Sequence, residues 1–169
     1  MNFGRLSDLG NPDSRQFDWP ESGRLAGIDF GTVRVGVAIC DPSRTWTSPL
    51  ETYTRRNIAL DQEHFEELVR ENQILGWVVG LPIHCDGRES RKSEEARDFA
   101  SWLYHVTEKP VRFIDERYTT ALANRLLRDA ELTNKKRKKR VDKIAAHLIL
   151  ETYLESAKHP SFQPLPLED

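Results

Sequence analysis

The chain has 169 residues, which fits one domain with a single core and leaves little room for two well-developed lobes. Its 25 basic and 27 acidic residues nearly balance, so net charge does not indicate a general polyanion binder. Two cysteines, Cys40 and Cys85, lack the CxxC spacing of a zinc site or a disulfide framework. No stretch approaches the roughly 20 apolar residues that span a bilayer, and no signal peptide is recognisable. We therefore expect a cytoplasmic protein without a membrane partner.

The two ends of the chain differ in composition from its middle. Residues 1–23 contain Pro12 and Pro20 and show no sustained periodicity, which is typical of a flexible N-terminal extension. Residues 157–169 are rich in proline and predict a short C-terminal tail. The folded domain is expected to occupy residues 24–156.

The folded region opens with three predicted strands. Residues 24–30 form an apolar run that ends in an acid, and residues 33–40 form a second run rich in β-branched residues. The intervening Gly31 and Thr32 are short enough for a hairpin turn. Residues 45–54 form a third, more alternating strand, so the pattern predicts an antiparallel meander.

After the meander, helices and strands alternate. Apolar spacing predicts a helix over residues 58–72, a buried strand at 77–81, a helix with its inner stripe over 96–106, and a strand at 111–114. The connections between these strands are long enough for parallel crossovers.

Two more helices are predicted near the end of the domain. Thr119 or Thr120 can cap a helix that reaches about Ala130, and Val141 opens a last helix that continues to about Ser156. The whole pattern predicts an α/β fold, with a five-stranded mixed sheet covered by helices on both faces.

Acidic residues stand where several of these elements begin or end. Asp29 ends the first strand, Asp115 and Glu116 follow the fifth, and Asp142 lies near the start of the last helix. Each has an ordinary alternative explanation: a turn cap for Asp29, a local ion pair with Arg117 for the Asp115-Glu116 pair, and the helix dipole for Asp142.

The predicted sheet brings these acids toward one point. The carboxyl ends of the first and fifth strands are expected to lie near each other, and a loop returns the chain to the last helix. Carboxylate oxygens are hard ligands for Mg²⁺ or Mn²⁺. The acids could hold two such ions about 4 Å apart, one activating water and the other stabilising the departing oxygen of a phosphodiester.

A run of six cations precedes Asp142, and removing it from the net charge of −2 leaves −8 on the rest of the chain. Such a block either contacts nucleic acid or forms a solvated loop, and its position beside Asp142 favours phosphate contact. Arg88, Arg91 and Lys92 either add phosphate contacts or lie at the start of a helix. The run consists of Lys135, Lys136, Arg137, Lys138, Lys139 and Arg140.

Four local motifs are similar to those of a known family. They are GIDFGTVRVGVAICD at 27–41, VVGLPIHCDG at 78–87, DERYTT at 115–120 and VDKIAAHLILETYL at 141–154. Their order and separation resemble those of the YqgF family, whose members are described as pre-16S rRNA nucleases and, earlier, as Holliday junction resolvase-like proteins.

This resemblance implies an RNase H-like fold and a role in maturing the 5′ end of 16S rRNA, with pre-rRNA or ribosomal precursor particles as partners. It implicates Asp29, the Asp115-Glu116 pair and Asp142 as catalytic residues. For the ligand from the fifth strand we favour Glu116 over Asp115, so that the predicted metal ligands are Asp29, Glu116 and Asp142.

Two other functions remain open from the sequence, and a third, nucleotide binding, is not expected. A Holliday junction resolvase acting on branched DNA would favour a symmetric homodimer, whereas trimming one RNA end requires only a monomer. A non-catalytic RNA-binding assembly factor could keep the fold without cleavage. The hairpin at Asp29 also resembles the phosphate-binding hairpin of actin-like ATPases, but those proteins use two lobes.

Overall fold

The computed structural model describes residues 19–83, 90–117, 134–159 and 165–166, and of residues 134–143 and 165–166 it describes the backbone. These residues form one mixed sheet with helices on both faces. The strands are β1 (Arg24–Phe30), β2 (Arg34–Cys40), β3 (Thr47–Thr54), β4 (Ile74–Leu81), β5 (Val111–Asp115) and β6 (Leu165–Pro166). The helices are α1 (Ile58–Asn72), α2 (Arg91–Thr107) and α3 (Asn134–Ser156).

The strand order across the sheet is β3-β2-β1-β4-β5-β6. Antiparallel pairing joins β1 to β2 and β2 to β3, whereas parallel pairing joins β4 to both β1 and β5. The predicted meander followed by βα units is therefore confirmed. A sixth strand, which the sequence analysis did not predict, extends the sheet: two residues of β6 pair with Arg112 and Phe113 of β5.

The pairing determines which strand ends meet. Because β1, β4 and β5 are parallel and β3 is antiparallel to β2, the carboxyl ends of these four strands lie along one edge of the sheet. We call this the site edge. The first turn of α1 follows β3, so the amino end of α1 also lies there.

One face of the sheet packs against α1 and α2. Its core contains Phe65, Trp77, Phe99 and Trp102, whose rings meet mainly edge to face, as aromatic pairs prefer. The indole of Trp77 donates a hydrogen bond of 3.0 Å to Thr107 Oγ1, which satisfies its buried polar atom.

The other face packs against α3 alone among the described helices. Ala146, Ile149 and Leu150 cover Leu25, Val78 and Ile114. Close approach depends on Gly27, where a Cβ would lie 2.7 Å from the Ala146 carbonyl oxygen and 2.7 Å from Leu150 Cβ. Gly27 is thus the position where α3 crosses β1.

The start of α3 differs from the prediction. The sequence pattern predicts a start at Val141, but the helix begins at Asn134, so the basic run belongs to its first turns. Lysine and arginine are good helix formers, and the charge block therefore continues the helix instead of ending it. The alternative of a solvated loop at residues 135–140 is therefore ruled out, and the favoured phosphate contact stays a prediction.

The described chain begins with a packed residue. Trp19 meets the Tyr153 ring edge-on at 5.8 Å between centroids, and the Arg112 guanidinium lies 4.4 Å from the Trp19 ring centroid. Residues 1–18 of the predicted extension and the predicted helix from Thr119 or Thr120 to Ala130 lie outside the described residues.

Candidate active site at the site edge

Asp29 lies at the end of β1 on the face that α3 covers. Side chains alternate along a strand, and Gly27, two residues earlier, lies against α3. Asp29 pairs with Gly36 of β2, and its preceding residue Ile28 pairs with Val79 of β4. Gly80 of β4 is therefore its neighbour on the other side. Glycines on both sides leave room around the half-buried carboxylate of Asp29.

Asp115 and Glu116 occupy opposite sides of the end of β5. Asp115 accepts hydrogen bonds from the Arg117 backbone nitrogen (2.9 Å) and from Arg117 Nε (2.7 Å). Arg117 Nη2 also lies 2.5 Å from Asp115 Oδ2. The buried carboxylate of Asp115 is thus neutralised locally, and it holds an arginine that is 41% exposed.

Glu116 instead extends over Gly80. Its backbone nitrogen donates to the Leu81 carbonyl oxygen at 3.1 Å, which continues the sheet pairing by one residue. A Cβ on Gly80 would lie 2.7 Å from Glu116 Oε1, so the missing side chain provides the space for this carboxylate. Glu116 therefore approaches Asp29 across β4.

The pKa of Glu116 is raised by its buried position next to other acids. Burial, the Asp29 charge and the Asp115 charge, in that order of size, raise its pKa to about 7, and the Lys92 charge opposes them. A carboxyl group held beside another acid and out of water is expensive to ionise unless a cation joins it. Asp29 and Glu116 are thus a pair suited to binding a cation.

The backbone of α3 carries Asp142 toward the same edge. Ala146 lies over Gly27, and Ile149 Cδ1 lies within 2.5 Å of where a Gly80 Cβ would be. Positions 142, 146 and 149 share one helical stripe, and 142 is one turn nearer the site edge than 146. Because α3 begins at Asn134, Asp142 is in its third turn, so the expected first-turn location is wrong and the helix dipole does not explain an acid there.

The side chain of Asp142 and those of the six basic residues lie outside the described part of the structure, as does Arg88. Arg91 is described: its exposed guanidinium pairs with Glu95 at 3.1 Å on the outer side of α2. Its neighbour Lys92, in the same helical turn, is the cation whose charge acts on Glu116. Lys92 was a candidate phosphate contact from the sequence, whereas the sequence pattern does not predict the space that Gly80 provides for Glu116.

Lys92 is positioned by the cap of α2. Ser90 and Ser93 form a reciprocal capping box, and the Ser93 hydroxyl donates a short hydrogen bond to the Pro82 carbonyl oxygen just beyond β4. This contact ties the first turn of α2 to the site edge. A serine at the third helical position replaces the usual glutamate or glutamine of such a box, which makes the signal harder to recognise in sequence.

Within the described side chains, no group of three histidine, cysteine, aspartate or glutamate residues forms a metal cluster. The described helices also include none that is long and apolar enough to cross a membrane. The acidic pair of Asp29 and Glu116 is therefore the part of the predicted cluster that the geometry brings together.

Comparison with known proteins identifies relatives with the same motifs. The profile of the RuvX family, described as Holliday junction resolvase, matches residues 23–156. A protein of Rhodopirellula baltica named "Putative pre-16S rRNA nuclease" is 50% identical over 141 residues, which cover 83% of this chain and 82% of that protein. A Koribacter versatilis protein of the same name is 40% identical, covering 85% of this chain and 94% of that protein.

Solved structures agree with the fold. Thermus thermophilus RuvC in complex with a Holliday junction substrate superimposes with a TM-score of 0.58 at 14% sequence identity. The match covers 85% of this chain and 99% of that one, and at such low identity it supports the RNase H-like architecture only. The sequence match over most of the chain carries the assignment: this protein belongs to the RuvX (YqgF) family of nucleases.

Proposed function

We propose that this protein is a divalent-metal-dependent nuclease that processes the 5′ end of precursor 16S rRNA in the cytoplasm. The observation that carries the proposal is the placement of Glu116 over Gly80, beside Asp29, at the edge where three parallel strands end. Ligands of open α/β sheets generally bind at the carboxyl ends of the strands. The curated relatives carry a pre-16S rRNA nuclease name.

The donor set fits a hard divalent cation. Asp29 and Glu116 offer carboxylate oxygens. Burial and then the Asp29 charge raise the pKa of Glu116, and a bound dication would lower it again. We assign Asp142 as the third ligand because of its place on the α3 stripe. Mg²⁺ or Mn²⁺ bound there would supply an activated water and charge stabilisation for phosphodiester hydrolysis.

Neighbouring residues have supporting roles in this proposal. Asp115 is assigned to positioning Arg117, since both its oxygens are used on that residue. Arg117 follows Glu116 in the sequence, and Lys92 of α2 lies near enough for its charge to act on Glu116. Both residues place positive charge at the site edge. Fixed cations at such a position hold a phosphate and stabilise charge that develops on it. The basic turns of α3, with Arg88, would contact flanking phosphates.

A second candidate, resolution of four-way DNA junctions, is favoured by the family description and by the junction-bound RuvC of similar fold. The two candidates differ in assembly. Symmetric cutting of a junction requires two sites and so a homodimer, whereas a monomer can trim one RNA end.

The test is cleavage of a 5′-extended 16S rRNA precursor and of a four-way DNA junction, each with Mg²⁺, with Mn²⁺ and with EDTA. Asp29→Asn and Glu116→Gln are expected to lower metal-dependent RNA cleavage by more than about 100-fold, because each removes a ligand charge. Asp98→Asn, on the exposed side of α2, is the matched control and should cleave normally.

The outcomes separate the candidates. Cleavage of the junction alone would move the function to DNA recombination. Tight RNA binding without cleavage by the unaltered protein would favour a non-catalytic assembly factor. Equal activity of the Asp29→Asn and Asp98→Asn variants would remove Asp29 from the site.

A further inference from the structure

A second basic surface lies at the site edge, on the side of Asp29 away from β5. It consists of residues from the turn after β1 and from the end of β3, joined by the hydrogen bond from Arg55 N to the Val33 carbonyl oxygen at 3.0 Å. Arg34 pairs with Thr54 at the same level. We call the exposed residues Val33, Arg34, Arg56 and Ile58 the Arg56 patch.

Asp61 organises the segment that carries Arg56. This acid is 2% exposed, and its Oδ1 accepts hydrogen bonds from Tyr53 Oη (2.7 Å) and the Arg56 backbone nitrogen (2.9 Å). Its Oδ2 pairs with Arg55 Nε at 3.3 Å. Arg55 therefore pairs with the buried acid directly, whereas Arg56 contacts it through its backbone nitrogen. The charges of Asp61 and Glu63 act on the exposed Arg56 guanidinium without a direct ion pair among the described residues.

The guanidinium of Arg56 is held by a neutral group. Its Nε donates to Tyr53 Oη at 3.1 Å, and its Cζ lies 5.5 Å from the centroid of the Tyr53 ring. His64 stacks on that ring at 3.9 Å and 9°, and itself contacts Glu51 at 2.5 Å. The tyrosine is thus fixed on both sides, and it orients an exposed arginine through one of its five N–H donors.

The surroundings of Arg56 suit a phosphodiester backbone. Arg56 immediately precedes Asn57, the N-cap of the 15-residue α1, so the positive end of that helix lies beside the guanidinium. Val33 and Ile58 are 67% and 50% exposed and offer aliphatic surface next to the charge. An arginine fork matches the paired oxygens of a phosphate.

The distance from Asp29 indicates which phosphate this would be. β3 is separated from β1 by β2, and two strand spacings correspond to about 10 Å. Arg56 is therefore too far from Asp29 to touch the reacting group. Resting on the proposed function, we propose that Arg56 binds a backbone phosphate of the nucleic-acid substrate beyond the scissile one, and extends the binding surface across the ends of β1 to β3.

The test compares Arg56→Gln with Arg70→Gln. Arg70 is an equally charged, exposed arginine in the last turn of the same helix, at the opposite end from the site edge. Both changes are made in an Asp29→Asn background so that substrate stays intact, and binding of the 16S precursor RNA and the four-way junction is followed by fluorescence anisotropy over a salt series.

Arg56→Gln is expected to raise Kd about 3- to 10-fold and to lower the slope of log K against log salt by about 0.7 to 0.9, the loss of one phosphate contact. Arg56→Lys, which keeps the charge, should restore the slope. Arg70→Gln should match the parent. The salt slope counts ionic contacts, so a merely destabilised variant would not reproduce this pattern.

The results distinguish this inference from the proposed function. If the parent binds both nucleic acids and Arg56→Gln behaves like Arg70→Gln, the assignment of Arg56 is overturned and the nuclease proposal stands. If the parent binds neither nucleic acid, the assignment of Arg56 and the nuclease proposal are both overturned.

Discussion

Glu116 is the residue whose chemistry depends most on its position. It follows Asp115, which is paired with Arg117, and its carboxylate lies over Gly80 on the side toward Asp29. Burial and the Asp29 charge together raise its pKa to about 7. In the absence of a cation this residue should therefore destabilise the fold whenever it is ionised.

The sign of the pH dependence follows from that pKa. Between about pH 4.5 and 7 the folded protein keeps a proton on Glu116 that the unfolded chain releases, so the free energy of unfolding falls as pH rises. Glu116→Gln cannot release this proton, so its free energy of unfolding should not fall in that way. The variant should equal the unaltered protein near pH 4 and be more stable than it by up to about 3 kcal/mol at pH 8. Urea denaturation in EDTA from pH 4 to 8 measures it.

Glu94→Gln serves as the control for that series, because Glu94 is exposed on α2. The stability advantage of Glu116→Gln over Glu94→Gln should grow as pH rises. Parallel curves for Glu116→Gln would mean that Glu116 ionises normally. Mg²⁺ should reduce the stabilising effect of Glu116→Gln, since a bound cation favours the ionised carboxylate.

At the residue scale, the sequence located the acids but left two neighbours undecided. Consecutive residues of a strand face opposite sides, so Asp115 and Glu116 were certain to separate. Which one faces Asp29 depends on which face α3 covers, and that is a tertiary fact. The position of Glu116 over Gly80, where the Asp29 charge acts on it, shows that Glu116 is the one that faces Asp29. Its role as a metal ligand is a proposal.

At the scale of elements, the critical contact is between β1 and α3. Gly27 allows α3 to cross β1 closely, and the same helix carries position 142 toward the site edge. A change in the distance between α3 and β1 at Gly27 would also move the end of α3 that holds Asp142. The stability of the fold and the geometry of the site are therefore linked through one glycine.

Gly27→Ala should destabilise the protein by about 1 to 3 kcal/mol, because the added Cβ meets the Ala146 carbonyl oxygen and Leu150 Cβ, neither of which is a flexible side-chain end. Nuclease activity at a temperature where the variant is folded should fall as well. Gly76→Ala is the control: its Cβ would meet Leu25 Cδ2 at 3.1 Å and the Trp19 ring at 3.2 Å, which can move. Equal thermal unfolding of the two variants would contradict this account.

The elements themselves were predicted unevenly, for physical reasons. Alternating and buried apolar runs identified the first five strands, because their periodicity reflects burial in the sheet. The start of α3 was placed seven residues late, since the residues from Asn134 to Arg140 have no apolar stripe and only their helix propensity indicates the helix. The strand β6 has two residues and too little pattern to detect.

At the scale of the whole molecule, charge is separated although the net charge is small. The six consecutive cations occupy the end of α3 that projects toward the site edge, and Lys92, Arg117 and Arg56 carry further charge there. Other cations lie at the opposite edge, paired with nearby acids, such as Arg70 with Glu67 and Lys158 with Glu155. Such an arrangement would direct a polyanion to one edge of an otherwise acidic protein.

Two triple variants with the same change in net charge test this separation. One replaces three lysines of the α3 run with glutamine, and the other replaces three cations at the opposite edge. The first set is Lys135, Lys136 and Lys139, and the second is Arg70, Lys109 and Lys158.

The two variants should differ in how their nucleic-acid affinity responds to salt. Loss of the three α3 lysines is expected to reduce the slope of log K against log salt by about 2 to 3, because each lost phosphate contact removes about 0.7 to 0.9 from it. The opposite-edge variant should keep the parent slope, since at 0.15 M salt charges more than about 8 Å from the bound strand are screened. Equal slopes for the two variants would show that affinity follows net charge alone, in which case the basic turns of α3 do not contact the substrate.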